Sequence, residues 1–246
     1  MLGRTYGEEL RKLLDQIDRT QYDAIRKAAA AVADCLMAGG CFHLLDTGHM
    51  LMTEAVGRAG GLMLVAPVKV DVTVENPTRP RPGVGKKRVY LDEIAGLPEF
   101  ILARSNIVSG DVFLISSVSG KNVLPVELAL RAQAMGVKVI GLTSVAYSKA
   151  LTPEHPSGKR LCEVADIVID NCGVVGDAVV RVEGMDAPIC PTSGITAAYI
   201  WWQLEAEIVE ALRARGVTPH VYLSNHVPGA DEYNRKALSE FAEAGI

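Results

Sequence analysis

Asp111-Val112-Phe113-Leu114-Ile115-Ser116-Ser117-Val118-Ser119-Gly120-Lys121-Asn122 is the stretch on which the fold turns. Its apolar run, 111–115, is short enough for a buried parallel strand. Beyond it, from Val123 to Met135, Leu124, Leu128, Ala129, Ala132 and Met135 recur at helical spacing. A hydroxyl-rich turn therefore sits between the end of a strand and the start of a helix, where open α/β sheets bind ligands. The free amides of a helix's first turn attract anions. One hydroxyl is enough for a helix cap. Three serines and an asparagine exceed that need and predict an anion site, suited to phosphate rather than to bare metal ions.

Two phosphate- and acyl-transfer motifs are excluded at this turn. A nucleotide P-loop needs Gly five residues before the Gly-Lys pair, where Ile115 stands, and Ser or Thr where Asn122 stands. A nucleophile elbow needs glycines where Ser117 and Lys121 stand.

The 246 residues suit one large α/β domain or one with a helical extension, and 49% hydrophobic residues allow a sizeable core. The net charge of -4 argues against general nucleic-acid binding. Five scattered cysteines, Cys35, Cys41, Cys162, Cys172 and Cys190, form no CxxC and suggest reduced thiols in a cytoplasm. No compact metal signature such as HExxH occurs, so a metal would need ligands from distant parts of the chain. The polar start does not read as a signal peptide, and no apolar run reaches membrane-spanning length.

In chain order, Tyr6 to Ala38 reads as helix, with a break near Arg19-Thr20 and a stop at Gly39-Gly40. This extension would cover its own sheet or pack across a partner subunit. Cys41–Leu45 is the first strand, and Asp46-Thr47-Gly48-His49-Met50 the turn after it. A dinucleotide fingerprint needs three glycines there and only Gly48 is present. A helix from Met50 to Ala59 would carry Glu54 and Arg58 on one face. Leu62–Val65 is a second strand. The Pro- and Gly-rich stretch 66–90 holds Arg79, Arg81, Lys86, Lys87 and Arg88, a solvated loop or a lid for an anionic substrate. A helix from Leu91 to Ser105 would hold Asp92, Glu93 and Glu99.

After the serine loop and its helix, 137–143 and 167–169 read as further strands, and the repeated strand-turn-helix units imply a parallel, doubly wound sheet. A short helix is expected through Val164, and a short edge strand at 179–182. Thr192-Ser193-Gly194 opens a long helix over Ile195–Arg215, and a polar tail ends in a short helix. With no repeat and no linker, 1–246 reads as a single domain: extension 1–38, α/β core 39–215 and tail 216–246.

The arrangement resembles the SIS (sugar isomerase) family. Ser117-Val118-Ser119-Gly120-Lys121-Asn122 is similar to that family's phosphate loop, and Thr47-Gly48-His49 to its first loop. Thr53-Glu54-Ala55-Val56-Gly57-Arg58 resembles a segment of phosphoheptose isomerases. Over nearly its whole length the chain resembles a subgroup of sugar isomerase domain proteins, which share Arg58–Gly61, Ser157-Gly158-Lys159, Asp170-Asn171, Gly176-Asp177-Ala178 and the tail segment 224–234. Met50 departs from a Ser, and His226 and Pro228 depart from the tail pattern. The resemblance implies a five-stranded parallel sheet flanked by helices, dimers or tetramers with sites near subunit interfaces, and a phosphosugar ligand.

An aldose–ketose isomerase needs a base near a C–H bond, an acid or base near the oxygens, and a grip on the phosphate. On that reading Ser116, Ser117, Ser119, Asn122 and Gly48 hold the phosphate, with Arg58, Lys159, Thr192 and Ser193 on the ligand. Glu54 is the base. His49 is the second proton carrier, and His155 and His226 are weaker candidates. No cofactor or metal is expected. A lyase acting on a phosphorylated amino sugar would add Glu93. A non-catalytic phosphosugar sensor would act through another protein, since no DNA-reading helix is evident.

Overall fold

The computed structural model describes residues 1–48, 51–73, 90–91 and 94–246. Expectations for His49, Met50, the basic loop and Glu93 lie outside the described residues.

Two helices, α1 (Leu2–Thr20) and α2 (Tyr22–Met37), precede the first strand and meet at Gln21, close to the expected break. Five strands follow: β1 (Phe42–Asp46), β2 (Val65–Pro67), β3 (Val112–Ser116), β4 (Lys138–Thr143) and β5 (Ile167–Asp170). They form one sheet in the order β2-β1-β3-β4-β5, every pair parallel. Strand order reverses between β1 and β3, so their carboxyl ends flank the crevice where doubly wound sheets take their ligands.

The strands are buried on both faces, which is why they read as unbroken apolar runs. On one face Phe42, Leu44, Val112 and Leu114 pack under α2 and α8 (Ser193–Ala214). Trp201 stacks on Phe42 with ring centroids 6.0 Å apart. Ala28, Ala29 and Ala33 are small enough to let α2 lie close to α8. On the other face Leu45, Phe113, Ile115 and Val139 pack under α4 (Leu97–Arg104) and α5 (Val123–Ala134). Each large side chain so buried contributes about 1.5–3 kcal/mol. The extension therefore covers its own sheet through α2, while α1 reaches α8 and the Pro191 carbonyl, which accepts from the Tyr6 hydroxyl.

Several boundaries differ from expectation. The helix after the first loop, α3, spans only Met52–Ala55, because Val56 is extended and Gly57 turns left-handed at φ 69°. The second strand starts at Val65. The preceding Leu62 instead pairs antiparallel with Val221 of the tail. Gly96, at φ 77°, and Pro98 start α4 later than expected. The expected edge strand is β6 (Ala178–Val180), which pairs antiparallel with β7 (Ile189–Pro191) in a hairpin outside the main sheet. Helices α6 (Val145–Ala150) and α7 (Leu161–Val164) complete the last crossover, and α9 (Ala230–Ala244) makes the tail helix longer than anticipated.

Candidate functional site

The serine loop leaves β3 at its carboxyl end and is fastened on three sides. The Ser117 amide donates to the Leu142 carbonyl, and the Val118 carbonyl accepts from the Ser144 amide and the Thr143 hydroxyl. The Gly120 carbonyl accepts from Leu161, and the Lys121 carbonyl from Glu154. Lys121 also pairs with the Glu154 carboxylate, so this cation braces segment 152–160. Gly120 has φ 55°, and a Cβ there would stand 2.7 Å from Thr143 Oγ1, so only glycine lets the loop close.

The serines divide their work. Ser117 Oγ accepts from the Gly120 amide at 3.3 Å and shapes the turn. Ser116 Oγ is buried with no hydrogen-bond partner among the described residues. Ser119 is half-buried. Asn122 is the N-cap of α5, which carries no acidic residue in its first turn. Pro125 removes one amide from that turn, which weakens it as an anion holder.

Beside this loop lies the turn after β1. The Thr47 amide and hydroxyl both donate to the Ser116 carbonyl, at 3.0 and 3.2 Å, which locks the two strand ends together. Asp46 accepts from the Gly48 and Leu51 amides and so fixes both the turn and the start of α3. A cavity of about 430 Å³ opens here, lined by Asp46, Thr47, Gly48, Tyr90, Asn122 and Leu124 among others. Its size falls among small-molecule sites, and it is apolar with a few convergent polar groups.

Of the residues expected at the site, Gly48 and Asn122 line this cavity; Ser116 ends β3, and Ser117 and Ser119 follow in the loop without lining it. Glu54 lies on α3 and pairs with Arg58 at 3.4 Å across a partly exposed surface. Arg58 lies beyond the end of α3, so the pair does not share a helix face as expected.

Five others lie elsewhere. His155 is buried, with Nε2 2.6 Å from Glu127 of α5 and Nδ1 2.7 Å from Ser157 Oγ. It lines a neighbouring cavity of about 360 Å³ that shares Leu91 and Leu124 with the first. Hydrogen bonding from His155, then from Arg131, holds the Glu127 carboxyl below its usual range. Lys159 is exposed, and its amide donates to Ser157. His226 lines a separate cavity against Gly57, Ala59 and the tail.

Thr192 and Ser193 are buried, and Asp177 engages both. Its carboxylate accepts from both amides and, at 2.7 Å, from the Ser193 hydroxyl. These two residues start α8, with Asp177 reaching across to cap it. Sequence reasoning gave no role to Asp46, Tyr90, Glu127 or Asp177. For Asp46 a signal was in view, an acid ending the first strand, and for Asp177 its place in the shared Gly176-Asp177-Ala178 segment.

The model of the SIS domain family matches residues 5–144. The chain belongs to the SIS domain family. It is 35% identical over 240 residues to a UPF0309 protein of Halalkalibacterium halodurans, covering 97% of each chain. It is 37% identical over 237 residues to a UPF0309 protein of Streptomyces griseus, covering 94% of this chain and 91% of that one. Among solved structures, a phosphoheptose isomerase from Francisella tularensis superposes with a TM-score of 0.52 at 16% identity, over 83% of this chain and 95% of the other. A phosphoheptose isomerase from Neisseria gonorrhoeae gives 0.50 at 14% identity, over 84% and 94%. At such identities the likeness carries the fold alone. The five-stranded parallel sheet with its helices is thus an SIS fold. Among the described residues no helix is long and apolar enough to cross a membrane.

Proposed function

We propose that this SIS protein binds a phosphorylated sugar and interconverts its aldose and ketose forms. The observation that carries the reading is the cavity of about 430 Å³ at the β1/β3 switch point, lined by Asp46, Thr47 and Gly48 of the first turn and by Asn122 at the end of the serine loop. The phosphate would lie against Ser119 and Asn122, near the buried Ser116 hydroxyl. The carbon chain would run toward Asp46 and Thr47. The likeness to phosphoheptose isomerases agrees with that class of ligand.

In the reaction, Glu54 takes a proton from the carbon beside the carbonyl. The electron pair forms an enediolate, and the proton returns to the former carbonyl carbon while the neighbouring hydroxyl becomes the new carbonyl. The hydroxyl proton passes between the two oxygens through His49. Asp46 supports the base indirectly, because its bond to the Leu51 amide anchors the start of α3.

Calorimetry against hexose, heptose and amino-sugar phosphates, each beside its unphosphorylated form, tests the ligand. Turnover of whichever phosphate binds tests the reaction. Binding should require the phosphate and fall at least tenfold in Asn122→Leu. Glu54→Gln should lower turnover by about 100-fold or more while affinity stays within a few-fold. Absence of phosphate-dependent binding would overturn the ligand assignment. Turnover undisturbed in Glu54→Gln would remove Glu54 as base, and binding without any turnover would make the protein a sensor.

A further inference from the structure

At the opposite end of the sheet, β1 and β3 begin with a polar group that the proposed reaction does not use. Cys41, His43 and Asp111 each offer a ligand atom, and these atoms all lie within 4.8 Å of one another. Residues 41 and 43 fall on the same side of β1 because side chains alternate along a strand. Register places Phe42 opposite Val112, which sets Asp111 beside Cys41 on that side. The same side of the strands continues into apolar Leu45, Phe113 and Ile115, with the His43 ring edge-on to Phe113, and His43 also borders a cavity lined by Arg104, Ser105 and Asn106.

His43 and Asp111 are each 1% exposed, with Nε2 and Oδ2 2.9 Å apart. Burying such a pair costs desolvation that apolar residues of the same volume would not incur. Asp111 has a structural task, since it accepts from the Cys41 amide at 2.8 Å and the Val108 amide at 2.9 Å. Those bonds account for the carboxylate. They account for neither the imidazole nor the thiol. They do hold the carboxylate in a fixed orientation, as outer bonds commonly do for metal ligands. Cys41 is exposed and borders a cavity of about 330 Å³, which provides an entry path.

We propose that Cys41, His43 and Asp111 form a binding site for a thiophilic divalent cation of the zinc class. One thiolate, one imidazole and one carboxylate make a three-ligand set that leaves a fourth position for water. Mixed sulfur and nitrogen donors exclude magnesium and calcium, which take oxygen. On binding, the thiol gives up its proton, and the imidazole coordinates through a nitrogen that carries none. The cation would clip the start of β1 to the start of β3, roughly 16 Å along the strand from the serine loop. It therefore does not depend on the proposed sugar site.

The test uses the full chain, stripped with a chelator and titrated with cobalt(II), then with zinc. One cobalt per chain is expected, with near-ultraviolet thiolate-to-cobalt charge-transfer absorption, displaced by zinc and unaffected by magnesium. Cys41→Ser should abolish the band and weaken cobalt binding at least tenfold, and His43→Gln should weaken it comparably. Zinc should raise the melting temperature of the unsubstituted chain and not that of Cys41→Ser. No stoichiometric binding to the unsubstituted chain would overturn the site, as would a band and affinity unchanged in Cys41→Ser.

Discussion

Replacing Glu205 by Gln should make the protein more stable at alkaline pH and leave it nearly unchanged at acid pH. Glu205 lies on α8 and is 4% exposed. Its Oε2 accepts from the Leu62 amide at 3.0 Å, while Oε1 is buried without a partner among the described residues. Burial pushes its carboxyl from 4.5 up to about 7, against a smaller downward pull led by the Leu62 amide. A raised carboxyl favours the protonated folded form. Its stabilising contribution is complete below pH 4.5, the unfolded value, and is lost as pH rises through about 7. At about 1.4 kcal/mol per tenfold change in proton affinity, the loss is roughly 3 kcal/mol. Glutamine keeps the acceptor for Leu62 and cannot ionise. Urea unfolding of both proteins from about pH 4 to about pH 8.5 measures the difference. The two should nearly coincide at the acid end and separate by roughly 3 kcal/mol at the alkaline end, the variant being more stable. A gap independent of pH would refute the reasoning, because it would mean that Glu205 titrates alike in both states.

Two further outcomes test the serine loop and the start of α8. Gly120→Ala should cost about 1–3 kcal/mol through its left-handed backbone and should lower ligand affinity, since Thr143 Oγ1 must move for the Cβ to fit; chemical denaturation with calorimetry reads both. Asp177→Ala should cost about 1–2 kcal/mol by uncapping α8. Asp177→Asn, which keeps one acceptor oxygen and tolerates the positive φ of 67°, should cost less in the same melts.

The candidate site was legible where local chemistry forces it. A buried strand running into Ser-x-Ser-Gly-x-Asn and a helix can be read without coordinates, because strand burial, left-handed glycine and helix capping are all short-range. Residues whose meaning depends on a distant partner were not legible. That Thr192 and Ser193 open the long helix was readable from sequence, but not that Asp177 accepts from them. His155 resembles a free catalytic imidazole, yet Glu127 and Ser157 hold both its nitrogens.

By itself, the order of apolar runs, turns and helical stripes determined a doubly wound parallel α/β sheet and the end of it that carries the serine loop. Those are properties of periodicity along the chain. Only the tertiary structure decided that Leu62 pairs with the tail rather than joining β2, that Asp46 and Asn122 face one cavity, and that Cys41, His43 and Asp111 converge. Pairing register and the meeting of groups nearly 70 residues apart, such as His43 and Asp111, arise from packing across strands. Spacing in one chain does not encode them.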